Sequence, residues 1–130
     1  MINVLIADDY DLTRLGLRNK LTTIDPNCFD IEEAENGVVA LRKLYEKEYN
    51  LLLLDWEMPK KGGFEVVKEI TNDPSFTELC IIILSAHEKV DLFTYIKNFH
   101  HNKLSCIHKP YREDLLKRLI ITNFDELTLK

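Results

Sequence analysis

Five short apolar runs, each closed by polar or acidic residues and separated by stretches of helical periodicity, constrain this chain most. They are Ile2 to Ala7 before Asp8-Asp9, Phe29 to Glu35, Leu51 to Leu54 before Asp55, Cys80 to Leu84 before Ser85-Ala86, and Leu104 to His108 before Lys109-Pro110. Runs this short between turn signals read as strands. Leu51 to Leu54 is apolar at every position, the pattern of a strand covered on both faces. Phe29 to Glu35 mixes apolar and acidic residues and reads as an edge strand.

The intervening segments follow a period near 3.6. Asp11 offers an N-cap, and Leu12, Leu15, Leu17 and Leu21 recur until Asp25-Pro26 stops the pattern. Asn36-Gly37 precedes a second helix with Val38, Leu41, Leu44 and Tyr45 on one face. Phe64, Val67 and Ile70, with Val66, mark a third, closed by Asn72-Asp73-Pro74. Val90, Phe93 and Ile96, flanked by Tyr95 and Phe99, mark a fourth; Leu115, Leu116, Leu119 and Ile120 mark the last. Strands alternating with helices specify an α/β fold, a doubly wound five-stranded parallel sheet with right-handed crossovers. At 130 residues there is one core. The expected domain is 1–122, with 123–130 a helix end or the start of a linker.

Several function classes are disfavoured. The formal net charge is −5 and no basic stripe is present, which argues against a nucleic-acid surface. The amino terminus lacks a secretory pattern, and no apolar run could cross a bilayer. Cys28, Cys80 and Cys106 lack metal-type spacing and read as reduced thiols of a cytoplasmic protein. His100, His101 and His108 have no partner ligands at metal-site spacing and read as solvated positions.

The chemistry lies where the strands end. In an open parallel sheet all strand carboxyl ends share one edge, and ligands bind there at the switch in strand order. Asp8, Asp9, Asp55, Ser85 and Lys109 are therefore expected to converge. Three clustered carboxylates raise one another's pKa values, and a divalent cation relieves that penalty. Hard oxygen donors with room for water and phosphate oxygens suit Mg²⁺. A carboxylate can accept a phosphoryl group covalently, and Asp55, ending the most buried strand, is the expected acceptor. Taken singly, Asp8-Asp9 could be a helix cap, Ser85 a strand-end cap and Lys109 a solvated charge. The ordered set argues otherwise.

That set, Asp8-Asp9, Asp55 with Met58-Pro59 and Gly63, Ser85-Ala86 and Lys109-Pro110, resembles the receiver domain of two-component response regulators over residues 2 to about 122. The resemblance implies a (βα)5 flavodoxin-like fold with strand order 2-1-3-4-5. It implies a cytoplasmic phospho-acceptor switch phosphorylated on Asp55 with Mg²⁺. Asp9 and Asp55 would ligate the metal, Asp8 would hold a metal-bound water, and the Glu57 backbone carbonyl would complete the shell. Ser85 would bond the phosphoryl group, Ala86 would leave it room, and Lys109, before a cis proline bond, would pair with it. Glu57 and His87 would fringe the pocket where phosphoryl lifetime is set.

The implied donor is a phosphohistidine on a sensor histidine kinase or a histidine phosphotransfer protein. The receiver catalyses its own modification and is not a turnover enzyme. Readout would pass to an output domain or downstream protein, or to a homodimer, through the fourth helix, fifth strand and fifth helix, where Tyr95, Lys97, Tyr111 and Arg112 fall. No nucleic acid or membrane contact is expected. The chain departs from the family at Cys106, which stands at the usual aromatic switch position. Gly62 replaces the common Asp or Asn, and residues 99–104 replace a Gly-Ala-rich segment. Two alternatives are a haloacid-dehalogenase-like phosphatase, suggested by Asp55-Trp56-Glu57, and a degenerate receiver acting only as an interaction module.

Overall fold

The strand Leu51–Asp55, buried at every position, is central, and the rest of the molecule is arranged around it. The computed structural model describes residues 1–86 and 96–128. In chain order the elements are β1 (Ile2–Ala7), α1 (Asp11–Ile24), β2 (Phe29–Ala34), α2 (Gly37–Glu46), β3 (Leu51–Asp55), α3 (Gly63–Thr71), β4 (Cys80–Ser85), β5 (Leu104–His108), α4 (Glu113–Asn123) and α5 (Asp125–Thr128). The strands pair in parallel in the order β2-β1-β3-β4-β5, so β2 is an edge as its mixed sequence suggests. The helix anticipated around Val90 and Phe93 falls largely on residues outside the description. Ile96 and Phe99, at its far end, pack against the core.

Alternation along each strand divides the interior into two layers. Leu5, Ala7, Leu52, Leu54, Ile81 and Ile83 face one way, toward Ala40, Leu41 and Leu44 of α2 and Val66, Val67 and Ile70 of α3. Ile6, Leu51, Leu53, Ile82 and Leu84 face the other, toward Leu17 and Leu21 of α1 and Leu116 and Ile120 of α4. Burying each such side chain stabilises the fold by roughly 1.5–3 kcal/mol before chain entropy is set against it. The tail forms α5, which buries Leu127 in the second layer.

The helical faces differ in detail from the sequence expectation. Leu12, Leu15, Val38, Tyr45 and Leu115 are exposed. At about 100° per residue, Leu12 and Leu15 lie well round α1 from the buried Leu17 and Leu21, and Leu115 lies well round α4 from Leu116 and Ile120. Val38 and Tyr45 flank the buried face of α2 that Gly37, Ala40, Leu41 and Leu44 form. Asp11 does not cap α1. Tyr10 is the N-cap, without a side-chain cap bond, because the turn is tied instead by Asp8 Oδ1 accepting from the Tyr10 amide at 2.9 Å. Asp11 is the first helical residue and pairs with Arg14 one turn on. Asn36 does cap α2, its side chain accepting from the Val39 amide.

The β3–α3 loop is held by close approach. A Cβ on Gly63 would lie 2.8 Å from Trp56 Cα and 2.9 Å from the Asp55 carbonyl oxygen. Gly16, in α1, has open space around it. Gly16→Ala is therefore expected to stabilise the protein by up to about 1 kcal/mol, the helix-propensity difference. Gly63→Ala is expected to destabilise it, because the backbone at Asp55-Trp56 must shift. Urea denaturation of the two variants checks both signs.

Candidate functional site

The strand order gathers the site. β1 and β4 flank β3, so Asp8-Asp9 just after β1 and Ser85 at the end of β4 stand beside Asp55. β5 lies one strand further, and the Lys109 amide continues its ladder by donating to the Ser85 carbonyl at 2.6 Å. Two strand spacings are about 10 Å, a gap that suits the long lysine stem. Lys109 Nζ reaches 3.6 Å from Asp55 Oδ1 and 3.7 Å from Asp8 Oδ2. Asp8, Asp9 and Asp55 each place a carboxylate oxygen within 4.8 Å of the others.

Burial and charge pull this cluster in opposite directions. Asp55 is 5% exposed, and burial, reinforced by the neighbouring charges of Asp8 and Glu57, pushes its carboxyl up to about 7. Lys109 opposes this. Burial likewise raises the Asp8 carboxyl, partly offset by the Tyr10 amide, Lys109 and Arg14. Asp8 Oδ2 and Asp9 Oδ1 are buried without a hydrogen-bond partner; the lysine contact to the former, at 3.7 Å, is Coulombic only. Orphaned buried carboxylate oxygens are costly and need explaining. A divalent cation among hard oxygen donors would satisfy both, so the residues fit a metal.

Other expected residues fall around this centre. Ser85 is fully buried, and its hydroxyl donates to Glu57 Oε1 at 2.8 Å. The Glu57 amide lies 3.4 Å from Asp55 Oδ1. Ala86 follows β4 and is exposed. His87 lies outside the described residues. The Lys109-Pro110 bond is cis, as the resemblance implied. Cys106 is buried, and burial pushes its thiol up to about 11. Its layer includes Ile96 and Phe99. All three cysteines are free thiols.

Two contacts at the site were not legible in sequence. Arg14 donates from Nη1 to the Asp8 carbonyl at 2.6 Å and from Nε to Glu33 Oε1 at 2.7 Å, bracing the acidic turn against β2. Its place on the sheet-facing flank of α1 was the available hint. Glu57, expected at the fringe of the pocket, bonds Ser85 across 28 positions, a contact that depends on the β3–β4 pairing.

The family model of the response regulator receiver domain matches residues 4–121. The sensor protein EvgS of Escherichia coli K12 is 33% identical over 116 residues, 89% of this chain but 9% of EvgS. The chemotaxis protein CheY1 of Helicobacter pylori 26695 is 31% identical over 118 residues, 89% of this chain and 91% of CheY1. Among solved structures, the response regulator TrrA of Thermotoga maritima in complex with Mg²⁺-BeF superposes with a TM-score of 0.77 at 29% identity, covering 95% of this chain and all of that one.

The raised Asp55 carboxyl has a consequence for metal-free protein. A carboxyl at about 7 when folded and about 4 when unfolded favours the fold while protonated. That contribution is complete below about pH 4 and is lost as pH rises through about 7. With a chelator present, Asp55→Asn is expected to be more stable than wild type at pH 8, by an amount on the order of a few kcal/mol. The gap should close toward pH 4. Urea midpoints across that range measure it.

Proposed function

The chain belongs to the response regulator receiver domain family of two-component signalling, and from that membership we propose that it is a switch phosphorylated on Asp55. Carrying this reading is the convergence of Asp8, Asp9 and Asp55 with Lys109 at one sheet edge. The family match also sets aside the haloacid-dehalogenase alternative, whose nucleophile precedes its acidic pair. Asp9, Asp55 and the Glu57 backbone carbonyl would hold Mg²⁺ directly, with Asp8 holding a metal-bound water. The ion would supply positive charge against the clustered carboxylates and the phosphoryl oxygens.

The chain's own groups perform the transfer. Asp55 attacks phosphorus of a phosphohistidine on a sensor kinase or phosphotransfer protein. An Asp55 oxygen–phosphorus bond forms, and the nitrogen–phosphorus bond breaks, its electron pair leaving with the imidazole. Lys109, already 3.6 Å from Asp55, favours the ionised nucleophile and then pairs with a phosphoryl oxygen. Ser85 donates its hydroxyl to another, and Ala86 leaves room beside it. Water attack on phosphorus later releases phosphate and restores the carboxylate. Each cycle consumes a modified partner, so the role is signalling rather than small-molecule turnover.

Readout would pass through the β5 and α4 side of the molecule to an output domain, a downstream protein or a second copy. A groove of about 380 Å³ there is lined by Ile96, Leu104, Cys106, Ile107, Leu115 and Leu119. Arg112, just before α4, is exposed. Tyr111 turns instead toward α1, accepting from Lys20 Nζ at 3.0 Å. Tyr95 lies outside the described residues. The small Cys106 cannot supply a swinging ring, so the aromatic relay common in this family would be replaced by repacking around Ile96 and Phe99. Among the described residues, no helix is long and apolar enough to cross a membrane.

Incubation with acetyl phosphate and Mg²⁺ tests the assignment. Intact-protein mass spectrometry should find a single, base-labile phosphoryl adduct on wild type, none with chelator and none on Asp55→Asn. Equal labelling of both proteins would remove Asp55 from the role.

A further inference from the structure

Resting on the phospho-acceptor reading, we propose that the Glu57 carboxylate is a positioning residue that holds the Ser85 hydroxyl in the unphosphorylated state and must release it for the phosphoryl group to be bound. The Ser85 hydroxyl carries one proton, and it is directed at Glu57 Oε1, 2.8 Å away. A phosphoryl group on Asp55 needs that same proton. Ser85 is fully buried at the end of β4, so its rotamer is confined and the donor cannot serve both acceptors.

Glu57 is suited to being displaced. It lies two residues beyond Asp55 in the β3–α3 loop and is partly exposed, so its carboxylate can swing to water. An arriving phosphoryl group brings about two negative charges and repels it. Release of Ser85 and departure of Glu57 therefore occur together. The hydrogen bond sets a threshold: the resting state is stabilised by a charge-assisted contact between β3–α3 and β4 that the phosphorylated state lacks. Glu57 acts through Ser85, and its side chain is distinct from its backbone carbonyl, the group that would complete the metal shell.

A double-mutant cycle with beryllofluoride and Mg²⁺ tests this, read by fluorescence of the chain's single tryptophan, Trp56, next to the acceptor. Glu57→Ala is expected to bind beryllofluoride about fivefold or more tightly than wild type, the scale of one lost competing hydrogen bond. In a Ser85→Ala background the same substitution should gain little. Glu57→Gln, which keeps an acceptor oxygen but not the charge, should stay nearer wild type than Glu57→Ala. Equal affinity of Glu57→Ala and wild type, or an equal gain in both backgrounds, would overturn the proposal. So would Glu57→Gln matching Glu57→Ala, since charge repulsion alone would then explain the gain. A wild type that binds no beryllofluoride while still binding Mg²⁺ would remove the phospho-acceptor reading itself, whereas normal binding without coupling removes only the role of Glu57.

Discussion

Negative charge collected on the carboxyl edge of a buried sheet is the constraint on which the rest of this structure depends. Asp8 and Asp55 are nearly inaccessible: Asp8 ionises against desolvation and the charge of Asp9, and Asp55 against desolvation and the charges of Asp8 and Glu57. Lys109 offsets part of that cost from one side, at distances too long for hydrogen bonding. The arrangement is thus poised: a carboxyl near neutrality is readily made a nucleophile by any added positive charge. An interior of apolar strands gives the edge its low dielectric, so stability and reactivity come from the same packing.

Holding such a cluster requires supports that carry no chemistry themselves. Arg14 ties the Asp8 carbonyl to Glu33, fixing the β1–α1 turn against the outer strand. Gly37 allows α2 to meet the β3–α3 loop, where a Cβ would lie 2.1 Å from the Lys61 carbonyl oxygen. Gly63 similarly lets α3 start against Asp55 and Trp56. Lys60, the one described non-glycine residue with positive φ, takes the turn between them at 66°. These contacts fix the path of the loop after Asp55, the property needed if a change at Asp55 is to be felt by Ser85 and Glu57.

Much of this was legible because the sheet obeys a one-dimensional rule. Once Leu51 to Leu54 is read as a central strand, Asp55 must stand at its end, and Asp8-Asp9, Ser85 and Lys109 follow from the same logic on neighbouring strands. Helix faces were read less well. Leu12, Leu15, Val38 and Tyr45 are exposed; in α2 the buried face runs through the small Gly37 and Ala40, which hydrophobicity alone does not mark. The contacts that Arg14 and Glu57 make between elements were hidden for a different reason. Their partners depend on rotamers and on loop paths, which periodicity does not encode.

Uptake of a cation by the edge carboxylates is the central requirement. Isothermal titration of Mg²⁺ into the chelator-stripped protein at about pH 8, where Asp55 is largely ionised, addresses this directly. One saturable ion per chain in wild type, with binding lost in Asp9→Asn, is the predicted result. Absence of binding to folded wild type, or unchanged binding by the Asp9 variant, would contradict it.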